Sequence, residues 1–317
     1  MKNFPLILTS TLLLFAAFLI YDSSIPAQSE KNAGSRRSGA EVIEKAITQF
    51  QTIKTIESNH VRLKCNLFGE EYIGQGHYYE KRLPQVQEPA ISPNLFLFDL
   101  RFQFPSSLEN SSCTQKVVVD GSYFDKYTKI GKEEHRERVD LKKLQNILVK
   151  SQKGGGNVSK LQSAQLGELT SLGGLEGTLI QLAKFYDFDS ASVESTSLGS
   201  GSLPVWKVSA KLKPDRLKAI VEAYGGDHAV TKHGGDHIPS AVTLFFGKTD
   251  FFPYRICYYS GVKDDPFGEQ PGIDLEYLKV SINGDDISNR MFTIGDTGNA
   301  LLIDVTDSYA DRLSNSP

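Results

Sequence analysis

One cluster of side chains that could ligate a metal lies within eleven positions: Asp227, His228, His233, Asp236 and His237. Imidazole nitrogens and carboxylate oxygens are the donors that a zinc or nickel ion takes. Their setting argues for a different reading. Gly225, Gly226, Gly234 and Gly235 make the stretch a loop, and His spacings of five and four fit no finger-like template. Such a loop supplies little second-shell support, so no metal and no cofactor is expected. The other arrangements that do chemistry are absent from the sequence: no GxSxG elbow, no GxxxxGK[ST] loop, no GxGxxG after a strand, no HExxH and no CxxC. Asp120-Gly121 has the chemistry of a tight turn, not of a catalytic carboxylate. Lys150, Lys153 and Lys160 around Gly154-Gly155-Gly156 read as a solvated linker instead of a phosphate cradle. No catalytic residue is assigned, and the chain is expected not to be an enzyme.

With 317 residues and ordinary apolar content, the chain can bury a sizeable core without staples. Its 35 basic and 38 acidic residues nearly balance, which leaves no footprint for a polyanion and argues against nucleic acid. Lys2 precedes an apolar run from Leu6 to Ile20, broken only by Thr9, Ser10 and Thr11. Residues 1–27 therefore read as a signal peptide or an uncleaved N-terminal anchor through which the chain contacts the membrane. Either way the folded part is exported, and residues 28–37 are a polar tether. Cys65, Cys113 and Cys257 allow one disulfide and one free thiol, in any of three pairings. Alternation of Cys65 with Val61, Leu63 and Leu67 favours a small buried residue there.

The elements that position these residues follow from hydrophobic period. Ser38 and Glu41 have capping-box spacing, and Val42, Ile43, Ala46, Ile47, Phe50 and Ile53 recur at helical intervals. From Asn59 the period becomes two, as in strands covered on one face. Val61, Leu63, Cys65 and Leu67 mark one strand, and Tyr72 to Arg82 the next. After a Pro-rich insertion the clearest strand sets Phe96, Phe98, Leu100, Phe102 and Phe104 on one face. Val117 to Phe124 reads as a hairpin about Asp120-Gly121. Short helices are expected at 140–149, Leu175–Tyr186 and Pro214–Tyr224, with strands at Val205–Leu212, Ile238–Gly247, Phe251–Ser260 and Leu275–Asn283. About ten strands with no strand–helix alternation predict an antiparallel sheet in a mainly β, α+β domain. That domain spans 38–307, with a flexible insert at 150–174, a helical insert at 213–236 and a C-terminal tail at 308–317.

The order of these patterns resembles the LolA/LolB-type periplasmic lipoprotein carriers over most of residues 40 to 307. The opening helix, Gly74-Gln75-Gly76-His77-Tyr78-Tyr79-Glu80-Lys81-Arg82, Asn94-Leu95-Phe96, Val118-Val119-Asp120-Gly121 and the closing Ile282-Asn283-Gly284-Asp285 with Met291-Phe292-Thr293-Ile294 carry the likeness. Insertions at Leu83 to Pro93 and Lys213 to Asp236 depart from the family's pattern. The resemblance implies an unclosed antiparallel β half-barrel with a helical lid, in the periplasm. It also implies an arginine at the end of the second strand that ties sheet to lid, here Arg82.

In a half-barrel no opposite wall fills the concave side, so the aromatic stripe must be covered by helices or by a guest. The expected lipid cavity is Phe96, Phe98, Leu100, Phe102 and Phe104 with Val61 and Leu63, and the expected guests are lipid or lipoprotein acyl chains. A buried Phe gains roughly 1.5–3 kcal/mol and a buried CH₂ about 0.8, so a lid and a lipid can compete for one surface. The reading is a carrier-like protein of outer-membrane lipoprotein sorting and transport, with other envelope proteins as partners. A sensor of the same fold, an envelope hydrolase and a scaffold with an occluded cavity are the alternatives.

Overall fold

The computed structural model describes residues 38–67, 70–83, 94–103, 112–152, 174–199, 202–217, 239–260, 267, 270–295 and 300–314. Helix α1 (Gly39–Phe50) starts where the Ser38 hydroxyl accepts the Glu41 N–H at 3.2 Å. Strands β1 (Thr55–Leu67), β2 (Glu70–Arg82), β3 (Asn94–Gln103), β4 (Ser112–Val119), β5 (Tyr123–Ile130) and β6 (Glu133–Asp140) follow, then helices α2 (Leu141–Gln152) and α3 (Gly174–Phe185). The second half holds β7 (Tyr186–Leu198), β8 (Leu203–Leu212), β9 (Ala241–Gly247), β10 (Pro253–Tyr259), β11 (Ile273–Ile282), β12 (Leu301–Asp304) and helix α4 (Thr306–Ser314).

All twelve strands form one sheet, in the order β12-β6-β5-β4-β3-β2-β1-β11-β10-β9-β8-β7. Its two ends do not meet, and the fold is an unclosed half-barrel with a few helices. Neighbours are antiparallel except at one end, where the four-residue β12 lies parallel to β6. A crossover connection, here the long path from β6 through the second half of the sheet, permits such a pair where a hairpin cannot.

Three strands depart from the sequence expectation. β6, β7 and β12 lie at or next to the sheet's edges and expose polar residues on both faces over much of their length, so hydrophobic alternation does not mark them. The C-terminal residues, expected as a tail, form α4, which buries Ala310 and sets Tyr309 beside Phe124 at 6.2 Å between ring centroids. A bulge between Ser58 and Val61 shifts β1 by one position. That shift breaks the alternation, and the strand begins at Thr55, before the period-two pattern becomes visible. Of the expected helix Pro214–Tyr224, residues 214–217 are helical and the remainder lies outside the described residues. So do residues 1–37, Phe104, most of the 150–174 insert and the Asp227–His237 cluster. Among the described residues, no helix is long and apolar enough to cross a membrane.

Two cores sandwich the sheet. The larger joins α1, α3 and one face of nearly every strand, including Val42, Phe50, Val61, Leu100, Leu179, Val208, Leu244 and Ile256. The smaller sits on the opposite, convex face, where Leu95, Leu97, Val118 and Tyr127 pack under Ile287, Phe292 and Ile294. The first half of β3 is thus buried on both sides. No disulfide joins Cys65, Cys113 and Cys257, which are all buried. They stand on β1, β4 and β10, at least two strand spacings apart, or roughly 10 Å and more, beyond disulfide reach.

Candidate functional site

Strand register sets which side chains share the concave face. Across β2, β3 and β4, Glu80 pairs with Phe96 and Val119; Tyr78 with Phe98 and Val117; Gly76 with Leu100 and Gln115; Gly74 with Phe102 and Cys113. Val61 and Leu63 of β1 pair with Gly76 and Gly74. The expected stripe therefore lies on one face as adjoining rows, beside Val61 and Leu63. A Cβ on Gly74 would come within 2.7 Å of the Phe102 ring, so glycine there lets the ring lie flat across β2.

Five of these side chains are buried by the protein itself: Val61, Leu63, Phe96, Leu100 and Phe102. Phe98 is partly buried and ends an aromatic series. Phe50 of α1 stacks on Phe252 at 5.9 Å, Phe252 meets Tyr277 at 5.7 Å, Tyr277 meets Tyr78 at 5.5 Å, and Tyr78 meets Phe98 at 6.1 Å. The series runs from the covering helix to the middle of the sheet. The last three contacts are edge-on, the geometry in which ring quadrupoles attract.

The end of β2 holds the helices in place. Arg82 donates to the Phe50 carbonyl at 3.1 Å and the Ile53 carbonyl at 3.4 Å, and pairs with Glu176 in the first turn of α3. One guanidinium thus joins the end of α1, the start of α3 and the sheet. Two residues back, the carboxylate of Glu80 is buried on the concave face. It accepts from the Tyr78 hydroxyl, from Asn94 Nδ2 at 2.6 Å and from the Leu175 backbone N–H at 3.1 Å. A carboxylate aimed at an unpaired N–H in a helix's first turn is favoured by the helix dipole. Gly174 makes the approach possible: its φ is +83°, and a Cβ there would sit 2.6 Å from Glu80 Oε1. Burial nonetheless pushes the Glu80 carboxyl above the usual range and Glu176 adds to this, while the Tyr78 and Leu175 bonds and Arg82 oppose it. Burial, reinforced by the Glu80 charge, holds the Tyr78 hydroxyl protonated.

Sequence patterning alone leaves Glu80 and Tyr78 unremarked, although both keep step with Tyr72, Gly74 and Gly76 along β2. Asp120 occupies the turn: its carboxylate accepts the N–H groups of Ser122 and Tyr123 at 2.9 and 2.8 Å. Gly121 supplies the positive φ.

An open β half-barrel with helices latched over its concave side defines the class of protein. No family model matches the chain, and no curated protein matches it by sequence. Similar solved structures include a DUF1329 family protein from Desulfovibrio piger, at 12% identity and a TM-score of 0.31, covering 82% of this chain and 98% of that one. A putative outer membrane lipoprotein-sorting protein domain from Vibrio parahaemolyticus matches at 8% identity and 0.27, covering 78% and 94%. A LolA superfamily protein from Nitrosomonas europaea matches at 13% and 0.25, covering 81% and 98%.

Proposed function

We propose that this chain is a lipid- or lipoprotein-binding protein of the cell envelope, not an enzyme, which holds acyl chains on the concave face of its half-barrel. The reading rests on one observation: an apolar, aromatic concave face lies under helices that pack on the sheet and are tied to it by polar contacts at the end of β2. Arg82 and Glu80 bind α1 and α3 at their termini. Opening the cover parts these charge-assisted bonds and the apolar packing of α1 and α3, and acyl CH₂ groups then take the helices' place at about 0.8 kcal/mol each. The proposed cavity is Phe96, Phe98, Leu100 and Phe102 with Val61 and Leu63, and Arg82 is the lid contact. Its site of action is the periplasm, its guests are acyl chains and its handover partners are other envelope proteins.

Native mass spectrometry of the exported protein tests this. Co-purifying acyl species support it; an empty protein that also refuses a fluorescent fatty acid refutes it. Phe98→Asp is expected to abolish lipid uptake, since Phe98 ends the aromatic series with its ring partly open. Arg82→Leu should change the rate of probe entry more than it changes folding. If both variants take up probe like the parent, the cavity is elsewhere.

A second reading is a scaffold whose concave face is permanently sealed. The burial of Val61, Leu63, Phe96, Leu100 and Phe102 by the protein itself favours it. Hydrogen exchange separates the two: α1 and α3 exchange by local opening in a carrier, and only through global unfolding in a scaffold.

A further inference from the structure

Lys126 is 8% exposed in the middle of β5, between Phe124 and Thr128 on the concave side of that strand. Val117 on β4 and Glu137 on β6 are its cross-strand partners. It therefore continues the row Tyr78, Phe98, Val117 at the end of the aromatic series. No hydrogen bond or ion pair joins its ammonium to another described residue. The carboxylates around it are committed elsewhere or held off: Asp125 pairs with Arg136 and Arg138 on the convex side, and Asp99 with Lys116. Glu137 acts on Lys126 only through its charge, without a salt bridge, and burial draws the lysine pKa below its usual value against that influence. The lysine stem is buried, and its ammonium meets no counter-charge among the described residues, so an anion on the concave face would complete it.

The neighbours supply the remaining donors. Thr128 is 6% exposed, one step along the same face, and pairs with Gln115 across β4. An ammonium, a hydroxyl and a side-chain amide together suit the two oxygens of one carboxylate. A single positive charge balances a single negative one.

We infer that Lys126, with Thr128 and Gln115, seats the carboxylate of a long-chain fatty acid whose tail runs along the row of Val117, Phe98 and Tyr78. This rests on the acyl-binding function proposed above and adds the chemical class of the ligand and the direction in which it lies. The head lies at the β5 end, and the tail points toward the helices that Arg82 and Glu80 hold.

The test uses the full-length chain and displacement of a fluorescent fatty acid by palmitate and by hexadecanol, which differ only in the head group. The parent should bind palmitate at least about tenfold more tightly than hexadecanol, the usual worth of a charge-assisted bond. Lys126→Met should bring the two affinities together, and Lys126→Arg should keep them apart. Equal affinities in the parent, or a preference that survives in Lys126→Met, would overturn the assignment. Hexadecanol binding without acid preference sinks the lysine's role alone; failure of the parent to bind either probe sinks the acyl-binding function and this inference with it. Lysine-dependent uptake of phosphatidylglycerol from vesicles without uptake of palmitate would overturn the fatty-acid assignment in favour of a phospholipid. Should Lys126→Met not fold, ¹³C-carboxyl palmitate bound to the parent decides instead: its carboxylate should stay ionised below the pH at which the acid in micelles protonates. Protonation at the micellar pH would overturn the proposal.

Discussion

The concave face is one surface built in two ways. Over β8 to β10 its side chains are Val208, Ala210, Val242, Leu244, Phe246 and Ile256, none more than 1% exposed. Helices α1 and α3 pack over this side through β7 and β8, and Phe50 reaches down to Phe252. Over β4 to β6 the same face carries Gln115, Val117, Lys126, Thr128, His135 and Glu137, while α2 and α4 cover its Val139 end. One strip is aliphatic and closed. The other mixes apolar groups with donors and charge, and Val117 and Glu137 are only partly buried. Both belong to one sheet, so backbone pairing does not account for the contrast. The difference separates a strip whose packing holds the fold from one that is polar and partly open, where the proposed guest would lie.

The largest expected effect breaks the closed strip. Leu244→Ala should cost about 2–5 kcal/mol in denaturant unfolding, since a fully buried leucine leaves a cavity under helices that cannot collapse into it. Val117→Ala, on the mixed strip, should cost under about 1.5 kcal/mol, because its surroundings are partly open. Equal losses at the two sites would mean that the strips are energetically one core, and the contrast would be lost.

The next effect concerns the seam between strips, where Glu80 meets α3. Glu80→Gln exchanges one acceptor oxygen for a donor that faces the donors Tyr78, Asn94 and Leu175, and should lose about 1–3 kcal/mol. The acid form predicts a pH signature as well. Because the folded carboxyl titrates above its unfolded value, the native state binds more protons between the two, and stability falls as pH rises through that interval. Below the unfolded value this contribution is fully present; above the folded value it is gone. Melting curves of the parent should show that decline, and those of Glu80→Gln should lack it.

How much of this was legible before the structure depends on the strip. Phe96 to Phe102 alternate because β3 is central and one face is wholly apolar, so periodicity locates the stripe, whereas the half-barrel is what the family resemblance implies. β6, read as Glu133-Glu134-His135-Arg136-Glu137-Arg138, has no such contrast, because its outward residues pair with Asp125 and Lys129 and its inward ones meet a polar strip. β7 and β12 are edge strands, half solvated, where apolar alternation has no work to do. Lys126 was within reach: the Asp120-Gly121 turn places Phe124 inward, and two steps on from an inward residue is another. What single-strand reading lacks is the partner list, since only pairing across β4 and β6 shows that nothing closes the lysine's charge.

The smallest expected effect sharpens the comparison most. Within the closed strip every substitution for a smaller group should destabilise, whereas Lys126→Met in the ligand-free protein should raise stability near neutrality, by at most about 1–2 kcal/mol. The reason is the sign of the lysine's titration. Its folded pKa lies below the unfolded one, so at neutral pH the charge opposes folding, and that opposition is relieved as pH rises through the folded value and the ammonium loses its proton. A scan of melting temperature against pH should therefore show the two proteins differing near neutrality and converging in the alkaline range. A residue that serves only the fold would show a loss at every pH. A gain near neutrality means that the chain keeps a group that weakens it when empty, which a binding site explains and a sealed scaffold does not.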